Sequence, residues 1–204
     1  MTKHILKSLL AGILIGIGAY VYIALLTVDN SVVGSILFAL GLMSVFILEA
    51  NLYTGKIGSI ILKGEVIGKL AIMLLFNFIG IALVALCALP NNAIVLKSSE
   101  VVRSKLNKTW YRALIDAILC GVLIELAVQL YKRYKNLLVI ILPVVVFILS
   151  GFEHCIANLF YYIAGYESFK LIALLYFVLY ILGNSIGAII LNKIIKVSLK
   201  EEQQ

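Results

Sequence analysis

Two stretches decide how this chain folds: Glu49-Ala50-Asn51-Leu52-Tyr53-Thr54-Gly55-Lys56 and Ser150-Gly151-Phe152-Glu153-His154. Each interrupts an apolar run with polar residues and glycine. The first follows Val32–Leu48 and gives way to a brief apolar return at Ile57–Leu62. The second follows Leu137–Leu149 and gives way to Cys155–Ala164. Irregular backbone inside a bilayer survives only where protein buries it or water lines it. A pair of interrupted helices in corresponding positions points to a transport site.

The rest of the chain supplies the bilayer. Of 204 residues, 63% are hydrophobic and only 13% charged, with a mean hydropathy of +1.12. A soluble domain carries about a quarter charged residues, so a soluble globular fold is excluded. A membrane helix needs roughly 20 apolar residues. The intact runs Leu9–Thr27, Val66–Leu89, Leu114–Leu130 and Leu171–Leu191, with the two broken ones, make six spans. They leave no room for an extramembrane domain, so residues 1–204 form a single membrane domain. The lysines before the first run suggest a signal peptide, but that run is too long and lacks a clear cleavage site, so it is a span.

Each half reads as an intact helix, a broken helix and a helix with an Asn-x-Ile-Gly step, at Asn77–Gly80 and Asn184–Gly187. Three spans plus three makes the second half an inverted copy of the first. Of the 17 basic residues, Lys97, Arg103, Lys105, Lys108, Arg112 and Lys170 fall on one side. The other eleven, Lys63 and Lys200 among them, fall with the N-terminus. The positive-inside rule then places both termini in the cytoplasm of a multi-pass protein of the cell membrane. The five basic residues between the third and fourth spans read equally as a charged mouth or a solvated loop.

No phosphate-cradling loop, zinc cluster or nucleophile elbow is present, so neither an enzyme nor a cofactor is expected. Scattered charges give nucleic acid no surface. Cys87, Cys120 and Cys155 read as small buried hydrophobes. Gly12, Gly16 and Gly18 permit close helix contact, within or between protomers.

At its breaks the chain resembles the formate/nitrite transporter family. Ser150 to Phe160 resembles that family's signature around a central pore histidine, and Leu52-Tyr53-Thr54-Gly55 its Leu-Phe-Thr loop. Gly183-Asn184-Ser185-Ile186-Gly187 and Asn77-x-x-Gly80 resemble its Asn-Gly steps. The resemblance implies an all-α, aquaporin-like protomer in a homopentamer within the lipid bilayer, each protomer passing a small monovalent ion. It makes His154 the mid-pore histidine and Thr54 its hydrogen-bonding partner. Leu52, Tyr53 and Phe147 become the apolar constrictions, and Asn51, Asn158 and Asn184 supports of the broken backbone. Glu153 is expected to tie down loop amides. An ionisable residue inside a membrane is costly and is a functional candidate by default, and a histidine between apolar gates can exchange a proton with a weak acid or base.

Three positions depart from the family. Asn51 replaces an acid, the expected lysine aligns with Thr109 beside Lys108, and Glu125 stands where a pore asparagine is expected. Glu125 shares a helix face with Gly121 and Gln129. As a structural residue it makes a buried hydrogen bond. Beside His154 it would instead repel an anion by about 4 kcal/mol at 4 Å and an effective dielectric near 20, and it would attract ammonium. The residues therefore favour ammonium/ammonia as the permeant, with Glu125 and His154 at the pore centre. The alternative is a channel or proton-coupled transporter for formate, nitrite or hydrosulfide.

Overall fold

The computed structural model describes residues 1–59, 64–166 and 170–200. The chain is helical: α1 (Thr2–Leu26), α2 (Ser31–Ile47), α3 (Tyr53–Lys56), α4 (Gly64–Ala88), α5 (Asn92–Leu106), α6 (Trp110–Tyr134), α7 (Ile141–Leu149), α8 (Cys155–Ala164) and α9 (Ile172–Lys200). Short 3₁₀ turns at Ile57–Ser59 and Leu137–Ile140 extend α3 and lead into α7. Four helices, α1, α4, α6 and α9, are long and apolar enough to cross a membrane. The return expected at Ile57–Leu62 is a 3₁₀ turn as far as Ser59; residues 60–62 and Lys63 lie outside the described residues.

Both intact pairs pack by backbone contact. Helix α1 lies on α4, and α6 lies on α9. A side chain at Gly12 would collide with the Asn77 carbonyl, and one at Gly121 with the Asn184 carbonyl. Gly18 meets the Phe38 carbonyl and Gly16 meets Val84, so the glycines of the first span serve contacts within the protomer. The outer faces of the protomer are apolar: Leu75, Leu83 and Leu86 on α4, and Leu174, Val178 and Leu182 on α9, are exposed. Cys120 and Cys155 are buried as expected, whereas Cys87 is exposed on the outer face of α4.

Residues 90–110 hold a helix the sequence reading treated as loop. Asn91 caps α5 by accepting hydrogen bonds from the amides of Ala93 and Ile94, and Asn-type capping starts a helix readily. Val95, Ser98, Val102 and Lys105 fall on its buried side, at helical spacing. That face packs on α8 and α1.

Candidate functional site

Both breaks are built by one pattern of bonds. Helix α2 ends as the Leu48, Glu49 and Ala50 amides donate to the carbonyls of Ser44, Phe46 and Val45. Helix α7 ends the same way, with Ser150, Gly151 and Phe152 donating to Val146, Ile148 and Phe147. The Asn51 amide then donates to the Lys7 carbonyl of α1, and the Glu153 amide reaches toward the Asp116 carbonyl of α6 at 3.4 Å. Asn77 accepts from the Tyr53 amide at 2.8 Å and donates to the carbonyls of Ser8 and Asn51. Asn184 accepts from the Cys155 amide at 2.9 Å and donates to the carbonyls of Ala117 and Glu153. Both asparagines are fully buried. Each satisfies backbone groups that a broken helix leaves without partners.

His154 and Thr54 come from different breaks and meet at 3.0 Å, Nε2 to Oγ1. His154 also caps α8, its Nδ1 accepting from the Ala157 amide at 3.0 Å. That bond leaves Nδ1 without a proton, so a neutral ring carries its hydrogen on Nε2, facing Thr54. Phe147 stacks on the imidazole with ring centroids 5.6 Å apart.

Glu153 departs from expectation. It accepts no loop amide; Oε2 accepts from Lys105 Nζ at 2.6 Å and from Asn158 at 2.7 Å, and Oε1 accepts from Lys108 Nζ at 2.6 Å. Lys108 also donates to Asp116 Oδ2 and to the Gly151 carbonyl, both at 2.7 Å. Burial opposes the charge on Lys108, but the carboxylates of Glu153 and Asp116 more than offset it and hold the ammonium above the usual lysine range. Lysine is therefore not missing from this region. Lys105 was read only as one of five basic residues of a charged mouth or solvated loop, although the helical spacing from Ser98 to Lys105 carried a signal for its burial; Asp116 escaped the sequence reading.

Two cavities approach this centre. One of about 160 Å³ is lined by His154, Phe147, Tyr22, Lys105, Lys108 and Asn158, among others. The other, about 370 Å³, runs from Lys7, Lys56 and Lys132 down to Leu52. Tyr22 and Lys7 stand fifteen residues apart on α1, about 22 Å along its axis. Phe147 lines the first cavity and Leu52 the second. The Tyr53 hydroxyl lies 2.9 Å from Ser185 Oγ, and Tyr53 lines neither cavity. The Asn51 side chain turns to His4, at 3.2 Å from Nδ1; its backbone is what the break uses.

Glu125 sits elsewhere than the sequence reading preferred. It is fully buried, and its Oε1 accepts from Gln129 at 2.5 Å and from Asn192 at 2.6 Å. A side chain at Gly58 would collide with its Oε2. Neither His154 nor Thr54 is among its hydrogen-bond partners, and it lines neither cavity. The face it shares with Gly121 is turned to α9, not to the cavities. No group of three or more metal-ligating side chains occurs among the described residues.

A model of the formate/nitrite transporter family matches residues 1–198. The chain belongs to the formate/nitrite transporter family. It is 27% identical over 149 residues to the formate channel FocA of Haemophilus influenzae, covering 64% of this chain and 52% of that protein. It is 28% identical over 193 residues to FocA of Escherichia coli K12, covering 78% and 66%. These matches span about half to two thirds of the relatives' length. A solved pentameric formate channel with formate bound superposes with a TM-score of 0.80 at 23% identity, covering 98% of this chain and 95% of that one. That likeness places the fold in the formate/nitrite transporter architecture.

Proposed function

We propose that this formate/nitrite transporter protein is a channel for a small monovalent anion, with formate the first candidate. One observation carries the reading. The cavity that reaches His154 is lined by Lys105 and Lys108, and no carboxylate is among its lining residues. Lys105, Lys108 and Arg112 outnumber the carboxylates of Glu153 and Asp116 that they pair with, and the net positive charge draws in an anion and repels ammonium. The ammonium reading needs Glu125 in the path, and its bonds to Gln129 and Asn192 support the structural role instead. The formate channels among the relatives point the same way.

In this reading the anion meets Lys105 first. Phe147 and Leu52 then resist a bare ion, so a weak acid that takes up a proton in the wet mouth crosses as the neutral species. His154 can hand on its Nε2 proton once Nδ1 has taken one up in place of the Ala157 amide bond, and Thr54 lies beside Nε2. Asn77 and Asn184 keep the two loops in register around that point. The protein works as a homopentamer with a pore in each protomer. Its halves are inverted copies, and the Lys7, Lys56 and Lys132 cavity opens to the cytoplasm together with both termini.

Solid-supported-membrane electrophysiology on proteoliposomes tests this by comparing formate, nitrite, hydrosulfide and ammonium. Anion currents that fall at least tenfold in Lys105→Gln are expected. Ammonium currents that vanish in Glu125→Gln, without anion response, would return the protein to the cation reading. Native mass spectrometry showing a dimer or tetramer would overturn the pentamer. Labelling of cysteines placed at residues 90–110 from the cytoplasmic side would overturn the orientation.

A further inference from the structure

Two lysines reach Glu153, and their hydrogen bonding differs. Lys108 has three N–H donors and uses all of them, on Asp116, Gly151 and Glu153. Lys105 makes one hydrogen bond among the described residues, to Glu153 at 2.6 Å, and its ammonium lies 5.8 Å from the centre of the Tyr161 ring. Two of its donors therefore remain for a ligand in the cavity that both lysines line.

The division follows from how Glu153 is shared. Its two oxygens lie in fully buried surroundings, where a carboxylate with one cation would pull that cation tightly onto itself. Lys108 takes Oε1, so Lys105 is left with Oε2 alone, a position it shares with Asn158. Lys108 in turn is anchored by Asp116, whose other oxygen lies 3.0 Å from Arg112. The cluster of Lys105, Lys108, Arg112, Asp116 and Glu153 carries three positive charges and two negative ones. That leaves one net positive charge in the cluster, in which Lys105 is the lysine with free donors.

We infer that Lys108, braced by Asp116, is a positioning and specificity-determining residue that neutralises Glu153 and thereby frees Lys105 to bind a monovalent anion at the mouth. Lys108 does not bind the anion itself. The inference rests on the anion reading and adds to it a chain of charges, Arg112 to Asp116 to Lys108 to Glu153, that sets anion affinity. It makes opposite predictions for the two ends of the brace. In Lys108→Gln the net charge falls to zero and Lys105 can engage both Glu153 oxygens. In Asp116→Asn the net charge rises by one while the amide oxygen still accepts from Lys108.

The experiment measures formate currents in proteoliposomes as a function of formate concentration, for the wild type, Lys108→Gln, Asp116→Asn and Lys108→Arg. The half-saturating concentration is expected to rise about tenfold in Lys108→Gln and to fall about threefold in Asp116→Asn. Lys108→Arg, which keeps the charge, should stay within about threefold of wild type. A purely structural brace would instead weaken the protein in both variants and move both curves the same way, which would overturn the inference. If Lys108→Gln fails to fold, Asp116→Asn decides alone, since an unchanged or raised half-saturation contradicts the proposal. A wild type that carries no anion at all marks failure of the channel reading rather than of the brace.

Discussion

The two breaks share a backbone and differ in their side chains. Positions correspond one to one: Glu49 with Gly151, Asn51 with Glu153, Leu52 with His154, and Tyr53 with Cys155. Even the left-handed residue recurs, with φ of 48° at Glu49 and 66° at Gly151. Yet the first break carries a leucine where the second carries a histidine, and a neutral asparagine where the second carries a buried carboxylate. The helix beyond each break differs too, with Tyr53–Lys56 continued by a 3₁₀ turn to Ser59 against the ten residues of α8. The two breaks share a backbone scaffold, whereas the histidine and the buried carboxylate belong to the second alone.

If that is right, equal changes to the scaffold should act equally on both halves. Asn77→Ala and Asn184→Ala each remove three hydrogen bonds of a buried side chain and leave backbone groups unpaired. Each should cost about 3–6 kcal/mol, read as a fall in thermal stability of the detergent-solubilised protein. A large effect at one asparagine and a negligible one at the other would break the correspondence.

Gly12→Ala and Gly121→Ala come next. Each pushes a methyl group into a facing carbonyl on the partner helix. Helix separation should cost about 1–3 kcal/mol in each case, measurable in the same melts.

The chemistry should behave in the opposite way, unequally. His154→Leu gives the second break the first one's side chain. The loss of the α8 cap and of the bond to Thr54 should cost about 1–2 kcal/mol, and the protein should still fold. Formate currents, expected in the wild type to grow as pH falls, should lose that dependence. Retention of the full pH response in stopped-flow flux measurements would remove His154 from the proton step.

The smallest effect separates the two left-handed residues. Glu49→Gly relaxes a backbone that costs a non-glycine residue about 1 kcal/mol. The pair Glu49 makes with Lys7 is long, at 3.4 Å, and largely exposed, so it offsets little. A gain of about 0.5–1 kcal/mol is expected, against a loss of about 1 kcal/mol for Gly151→Ala. Chemical denaturation in mixed micelles should resolve the opposite signs.

The sequence showed the scaffold better than the charges. Broken runs and Asn-Gly steps are local patterns, and a helix that stops in apolar surroundings must recruit a distant side chain to its amides. Asn184 was legible as a support for that reason, and Asn77 only as the matching Asn-Gly step. The pairing of Lys105 with Glu153 was not, since 48 residues separate them and the composition of residues 90–110 reads as loop until Asn91 is seen as a cap. Glu125 misled because periodicity gives a shared face but not the element that face meets. Its stripe with Gly121 and Gln129 is real, and α9 rather than the path lies against it.

The bonds that satisfy the backbone of each break stay within their own half. Lys7, Ser8 and Asn77 tie the first, and Asp116, Ala117 and Asn184 tie the second. During synthesis the first knot can therefore close before residue 110 has left the ribosome, without waiting for the rest of the chain. The second must wait for α9. The Thr54–His154 contact belongs to neither knot and spans the seam between them, so it forms only when two prefabricated pieces dock. A chain severed between residues 89 and 92 should then reassemble from its fragments, and the histidine–threonine bond would report the moment of assembly.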